Sequence, residues 1–188
     1  MLADGAPWAN MGDPVIGGPM SAMLLSLLLS LVPVTPDGGI VVVKGQRFLT
    51  EVARTPREQA RGLMYRQSLA RDRCMFFLYQ EDGYHSIWMK NCLISLDVIW
   101  LKADGTVTEI APSVPPVSPM WTGPEDKIPT YGGKVVSRYF VEFPAGTTRR
   151  LGLKVGDRIG WDLRLADGSV LRGGLPVPKE SIVRRRRK

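Results

Sequence analysis

The sequence has little of the chemistry that metal centres and nucleophilic enzymes use. Its 188 residues include one histidine and two cysteines, too few for a self-contained zinc site or a histidine-rich metal centre. It also lacks the G-x-S-x-G, H-E-x-x-H, G-x-G-x-x-G and P-loop patterns of hydrolases, metalloproteases and nucleotide-binding proteins. We therefore predict no catalytic triad, no metal site and no cofactor.

The positive charge is concentrated at one end of the chain. The net charge is +7, and the last five residues supply most of this excess. Specific nucleic-acid binding is not predicted, because it needs basic residues spread over one face with aromatic residues between them. The tail is either a solvated segment or a contact with an anionic membrane or polymer. It comprises Arg184, Arg185, Arg186, Arg187 and Lys188.

The first 39 residues differ in composition from the rest and contain neither lysine nor arginine. Residues 22–34 form an apolar run that is too short to span a bilayer but suits the core of a signal peptide. A positive charge before the run and an A-x-A-like cleavage site are both missing. We predict that residues 1–39 are a signal peptide or N-terminal anchor, with Met20 as an alternative start. The protein is then exported, periplasmic or membrane-anchored; the alternative is a cytoplasmic protein.

Turn signals at short intervals indicate a protein made mainly of β-strands. Asp-Gly pairs, typical of hairpin turns, occur at 82–83, 104–105 and 167–168. Long alternating strand and helix patterns are absent, so the sheet should be mostly antiparallel, in a sandwich, a jelly roll or a partly closed barrel. The predicted strands are 40–43, 47–53, 74–79, 86–101, 106–111, 135–143, 158–163 and 169–172.

One short helix is clearly signalled. Thr55 can cap it, Pro56 suits the first helical position, and Glu58 completes a capping box, so a helix is predicted over about 56–65. A second helical turn is predicted near 147–151, ending at Gly152. Six prolines between 112 and 129 cannot join a central ladder and predict a long ordered loop, a common carrier of function.

Several segments together resemble a known family. The segments are TPREQARGLMYR at 55–66, MFF at 75–77, WMKN at 88–91, LDVI at 96–99 and LKVGD at 153–157. In order and spacing they resemble the bacterial and archaeal family called domain of unknown function 192, over about residues 47–163. The resemblance implies a compact β domain, often behind an export signal, with no established activity. We assign residues 40–163 to this domain and 164–188 to a C-terminal hairpin and basic tail.

Two positions depart from the family pattern, which usually has glycine and threonine where this sequence has Cys74 and Cys92. If strands 74–79 and 86–92 formed a hairpin centred on Gly83, the two thiols would lie opposite one another. A disulfide would then be geometrically possible in an oxidising compartment. The alternative is a pair of small buried thiols.

The remaining polar and aromatic residues suggest a shallow site. On a strand, Trp88 could offer a stacking surface, Lys90 an anion contact and Asn91 a hydrogen-bonding amide, with Asp97 holding Lys90 in place. The proline-rich loop would cover them with Trp121 and Tyr131, whose amphipathic rings suit ligand contact. The structural alternative is that these residues only fill the core and satisfy turns.

Two functional classes follow from these residues. The first is a non-catalytic binding module, exported or associated with the cell envelope, that takes an unknown small ligand or an envelope component. The second is an enzyme of unknown chemistry that uses Lys90 and Asp97 in a loop-covered pocket. The second class would require a lysine pKa shifted by burial beside other charges.

Overall fold

Ten strands and two short helices make up residues 37–117 and 121–178, the part of the chain that this computed structural model describes. All of them belong to one compact unit. The helices are α1 (Pro56–Arg61) and α2 (Thr147–Leu151), and a 3-10 turn spans Glu125–Lys127. The strands are β1 (Gly38–Val43), β2 (Gln46–Ala53), β3 (Arg73–Gly83), β4 (Ile87–Trp88), β5 (Leu96–Leu101), β6 (Val107–Val114), β7 (Thr130–Tyr131), β8 (Ser137–Pro144), β9 (Gly160–Arg164) and β10 (Val170–Gly174).

Eight of these strands form one curled sheet in the order β10-β9-β1-β2-β3-β8-β5-β6, while β4 and β7 form a small separate sheet. The curl brings the start of β6 toward β9, where Thr106 and Arg158 form an antiparallel bridge. Neighbouring strands are antiparallel except β2 and β3, which run parallel because α1 lies in the connection between them. The prediction of a mainly β, partly closed barrel with a short helix is confirmed.

The sheet buries apolar side chains on both of its faces. Successive residues of a strand point to opposite faces, so Phe76 and Val141 belong to one core cluster and Phe77 and Phe140 to the other. The first cluster fills the inside of the curl with residues from seven strands of the sheet. The second cluster lies on the face formed by β3, β8 and β5. There it is covered by residues after α1, by β4 and by the segment that follows β6.

Ten apolar side chains from the two core clusters are buried. They are Val52, Leu63, Met75, Phe77, Ile87, Val98, Trp100, Val141, Phe143 and Ile159.

Helix α1 begins as predicted but ends earlier. The Glu58 N–H donates to Thr55 Oγ1 at 3.3 Å, and the Thr55 N–H donates to Glu58 Oε2 at 2.9 Å, which completes the capping box. The helix ends at Arg61 rather than Tyr65, so the predicted end was wrong. The physical reason is that Gly62 and Tyr65 both have positive φ, which an α-helix cannot contain.

The predicted hairpin between strands 74–79 and 86–92 is absent from the described structure. β3 pairs with β2 and β8, whereas β4 pairs with β7 across the small sheet. The predicted strand 86–101 is also interrupted, because Asn91 has a φ of 54° and turns the chain between β4 and β5. The Asp-Gly pairs at 104–105 and 167–168 do lie in tight turns, between β5 and β6 and between β9 and β10.

Candidate functional site

The segment from Trp88 to Cys92 leaves the small sheet and turns sharply. The Tyr65 N–H donates to the Asn91 carbonyl at 2.8 Å, and the Cys92 N–H donates to the Met89 carbonyl at 3.2 Å. These backbone bonds fix the turn, with Met89 and Cys92 buried and Trp88 exposed. The prediction that these residues lie on a strand was therefore wrong beyond Trp88, because the chain turns there.

Lys90 lies beside an aromatic ring and a carboxylate. Its ammonium is 5.1 Å from the centre of the Trp88 ring, a distance suited to a cation–π interaction. It also forms an ion pair with Glu125 of the 3-10 turn. About a third of the Lys90 side chain is exposed, so water screens this pair.

Asp97 does not hold Lys90, so the predicted pairing was wrong. The Asp97 carboxylate is fully buried and accepts four hydrogen bonds from other groups. Oδ1 accepts from the N–H groups of Ser113 and Gly146 at 2.8 and 2.9 Å, and Oδ2 accepts from the Thr148 N–H and hydroxyl at 2.7 and 2.6 Å. Asp97 therefore joins β5, β6 and α2 as a structural carboxylate.

The proline-rich segment reaches part of the predicted site. Trp121, Glu125 and Ile128 line a shallow pocket together with Lys90 and Asn91. Tyr131 lies farther along, in β7, where it pairs with Ile87. The structure thus brings Lys90, Asn91 and Trp121 together, with Trp88 beside Lys90, and leaves Asp97 elsewhere. Pro119, one of the six prolines, lies outside the described residues.

The two cysteines lie in different core clusters and are not bonded to each other. A disulfide fails here because β3 and the Trp88–Cys92 turn are not paired strands. Cys74 Sγ lies 3.1 Å from the Thr50 hydroxyl inside the curl. Burial raises the pKa of each thiol to about 12. Both residues are thus buried thiols, the alternative that the sequence left open.

Sequence reasoning missed Glu142, which lies in the middle of the second core cluster. It projects from β8 between Met75 of β3 and Val98 of β5, its cross-strand partners. Its side chain is buried, and its Oε2 atom has no hydrogen-bond partner among the described residues. A carboxyl in such apolar surroundings is uncommon in proteins, since burying an unpaired polar group is unfavourable.

Glu142 lines a cavity of about 90 Å³ between α1, β4 and the sheet. We call it the Glu142 cavity. Its walls combine aromatic rings with a few polar groups. They consist of residues 59–64, Phe77, Tyr79, residues 86–88, Lys90, Cys92, Phe140 and Glu142.

Burial controls the ionisation of the groups in this cavity. It raises the pKa of the Glu142 carboxyl from 4.5 to about 8, and no described cation opposes that shift. Burial, and secondarily the Glu142 charge, raises the pKa of Tyr79 and of Cys92. At neutral pH, therefore, the cavity holds a mostly protonated carboxyl, a neutral phenol and a protonated thiol.

The predicted leader and the basic tail, Arg184 to Lys188, lie outside the described residues. Within residues 37–117 and 121–178, no helix has the length and apolar character that a membrane span requires. In the same ranges, no three histidine, cysteine or carboxylate side chains lie close enough to hold a metal ion.

Comparison with known proteins gives a family and two similar structures. The family model described as DUF192, Uncharacterized ACR, matches residues 39–161. A crystal structure of a protein of unknown function from Novosphingobium aromaticivorans DSM 12444 is 30% identical, with a TM-score of 0.56 over 68% of this chain and 84% of that chain. A structure from Sinorhizobium meliloti 1021, described as a candidate transcription regulator, is 29% identical, with a TM-score of 0.56 over 66% and 92%. No curated protein matches the chain.

Proposed function

This chain belongs to the DUF192 family of uncharacterized proteins, and we propose that it is a non-catalytic binding module whose small ligand enters the Glu142 cavity. The carrying observation is the buried Glu142 carboxyl, which has an unpartnered oxygen and lines an open cavity. Leaving a buried acceptor unsatisfied costs about 1 to 3 kcal/mol. A ligand that hydrogen-bonds to this oxygen removes that cost, which supports a binding role.

The chemistry of the cavity supports binding rather than catalysis. A thiol with a pKa of about 12 stays protonated at pH 7, so Cys92 offers no thiolate nucleophile. The alternative was an enzyme that uses Lys90 and Asp97 together. It has less support, because the Asp97 carboxylate accepts hydrogen bonds from backbone N–H groups and from Thr148 and does not contact Lys90. Aromatic walls with a few polar groups are typical of small-molecule sites.

A fragment screen by ligand-observed NMR tests the binding role. Ala60 is exposed on α1 and lines the cavity, so Ala60→Trp should obstruct the opening without disturbing the core. Arg57→Trp places the same ring on the same helix at a position that does not line the cavity. We expect fragment signals with the wild type and Arg57→Trp and none with Ala60→Trp. Absence of binding to the wild type, or equal binding to all three proteins, would refute the proposal.

We also propose that the module works outside the cytoplasm, either periplasmic or anchored to the envelope. The apolar run at 22–34 and the compositional break near residue 39 support this location. Cell fractionation, with mass spectrometry of the mature N-terminus, measures it directly. Full-length protein found only in the cytosol would contradict the proposed location.

The basic tail is proposed to attach the module to an anionic envelope surface. Each cation near a charged membrane contributes about 1 kcal/mol at low salt. The protein should therefore cosediment with vesicles of mixed anionic and neutral lipid, and salt or removal of residues 184–188 should release it. Equal sedimentation of the truncated chain would show that the tail is only a solvated segment.

A further inference from the structure

We propose that the ligand of the Glu142 cavity is an organic ammonium, a protonated amine on a short apolar stem, with Glu142 as its counter-charge. This inference rests on the proposed binding function and specifies the chemical class of the ligand. It is carried by three features of the cavity: an unpaired carboxyl, the position of that carboxyl on the sheet, and the aromatic walls.

The carboxyl has no cation of its own among the described residues. Neither an ion pair nor a hydrogen bond engages Oε2, and the residues beside Glu142 in the sheet are the apolar Met75 and Val98. A buried carboxylate is stable only when it is paired and hydrogen-bonded. An ammonium group supplies both the charge and the N–H donors that the protein leaves out.

The basic residues of the cavity lie at its exposed side. Lys90 is partly exposed and already paired with Glu125, and Arg61 is exposed on α1. Solvent screens both cations, and neither contributes to the ionisation of Glu142. The other titratable groups that line the cavity, Tyr79 and Cys92, are neutral at pH 7 because burial raises their pKa values. Glu142 is thus the buried acidic group of the cavity, and it has no counter-charge among the described residues.

The walls suit the rest of such a ligand. Phe77 and Phe140 stack with centroids 4.2 Å apart beside Glu142, and Trp88 and Tyr79 also line the cavity. Aromatic faces attract organic cations through their quadrupoles. The cavity, at about 90 Å³, has room for a small organic group, so ethylammonium is a suitable probe.

Titration with ethylammonium and its neutral counterpart ethanol, followed by protein NMR, tests the inference. Binding of the cation requires ionised Glu142, so it releases a proton. Affinity for ethylammonium should therefore rise about tenfold per pH unit from pH 6 toward 8 and level off above the pKa. The probe stays charged throughout, since an alkyl ammonium resembles lysine, with a pKa of about 10.4.

Two variants that each remove one carboxylate test whether Glu142 is the group that binds the cation. Glu142→Gln should lose at least tenfold in ethylammonium affinity and keep its affinity for ethanol. Glu81→Gln, at an exposed position of β3, should bind both probes like the wild type. If Glu142→Gln does not fold, the pH profile of the wild type decides the question.

The outcomes separate this inference from the proposed function. Ethanol binding as tightly as ethylammonium, or an ethylammonium affinity independent of pH, would refute the ammonium ligand and leave a binding cavity. Failure of both probes and of the fragment screen would overturn the inference together with the binding module.

Discussion

The Glu142 carboxyl should make the stability of the fold depend on pH. Its pKa is about 8 in the folded protein and 4.5 ordinarily, so between these values only the unfolded chain ionises. The folded state is therefore favoured most at acidic pH and loses up to about 1.4 kcal/mol per pH unit as the pH rises toward 8. Glu142→Gln lacks this dependence. Urea unfolding at pH 5, 6, 7 and 8 should show the wild type losing stability relative to the variant.

Parallel stability curves for the two proteins would contradict this prediction. They would mean that Glu142 is solvated or paired in the folded protein. Because the comparison is a difference between two nearly identical chains, the titration of the other groups cancels.

The contrast between Asp97 and Lys90 gives a second test. Asp97→Ala strands three backbone N–H groups and the Thr148 hydroxyl, so the free energy of unfolding should fall by more than about 3 kcal/mol. Lys90→Ala removes a partly exposed ion pair and should cost less than about 1 kcal/mol. Urea titrations of both variants measure the difference. Unfolding of the lysine variant alone would instead identify Lys90 as the buried structural charge.

The burial of Glu142 could have been predicted from the sequence. In residues 139–143, aromatic and aliphatic side chains surround Glu142 on both alternating faces. Such a run indicates a strand covered on both sides, so a charged residue within it must be buried. The structural role of Asp97 could not be predicted from the neighbouring sequence. Its hydrogen-bond donors lie at positions 113, 146 and 148 and come together only in the folded protein.

The β4–β7 sheet depends on a close approach at Gly132. This glycine follows β7 with a φ of 68°, and a Cβ there would overlap the Trp100 indole, whose Nε1–H donates to the His85 carbonyl at 2.5 Å. Gly152 also has a positive φ, but a Cβ there would meet no atom within 4 Å. Alanine at either site carries the same kind of backbone strain. Gly132→Ala should therefore be less stable than Gly152→Ala by about 1 to 3 kcal/mol, the usual cost of overpacking.

Thermal or urea unfolding of the two glycine variants measures this difference, and tryptophan fluorescence reports any displacement of Trp100. Equal stabilities would show that the loop after β7 can move away from the indole at no cost. In that case the small sheet would not be a rigid wall of the Glu142 cavity.

Local sequence signals predicted the positions of turns and helices better than they predicted which strands pair. Asp-Gly turns at 104–105 and 167–168 and the capping box at 55–58 depend on neighbouring residues, so the sequence showed them directly. The parallel pairing of β2 with β3 has no local signature, because nineteen residues containing α1 separate the two strands. The break at Asn91 was hidden for another reason. The apolar residues at 87–89 and 92–94 continue the composition of a strand, whereas the positive φ of Asn91 turns the backbone.

The position of each strand in the curled sheet should set its resistance to opening. β8 is bonded on both sides, to β3 and β5, and most of its residues are buried. Within the described ranges β10 pairs with β9 alone, and none of its residues is fully buried. Amide hydrogen exchange should therefore be slowest in β8 and at least about 100-fold faster in β10. Uniform protection across both strands would mean that the sheet opens only as a whole.

The resemblance of five short segments to one family already implied a compact β domain, and the curled sheet agrees with it. The family resemblance did not predict that the sheet curls far enough for its two ends to meet. Thr106 and Arg158 meet because turns at opposite ends of the strand order approach in space. Such long-range pairing depends on how every intervening strand packs, and no short stretch of sequence records it.

The pairing of β1 with β9 governs when this protein can fold during its synthesis. Gly38 pairs with Arg164 and Val42 with Gly160, so β1 lacks one of its two neighbours until β9 has left the ribosome. At about 5 to 20 residues per second, the early strands spend seconds without a complete set of neighbours. Contacts between distant positions also slow the folding search itself. The curled sheet of a nascent chain is therefore incomplete until β9 has been synthesised, however early β1 and β2 are made.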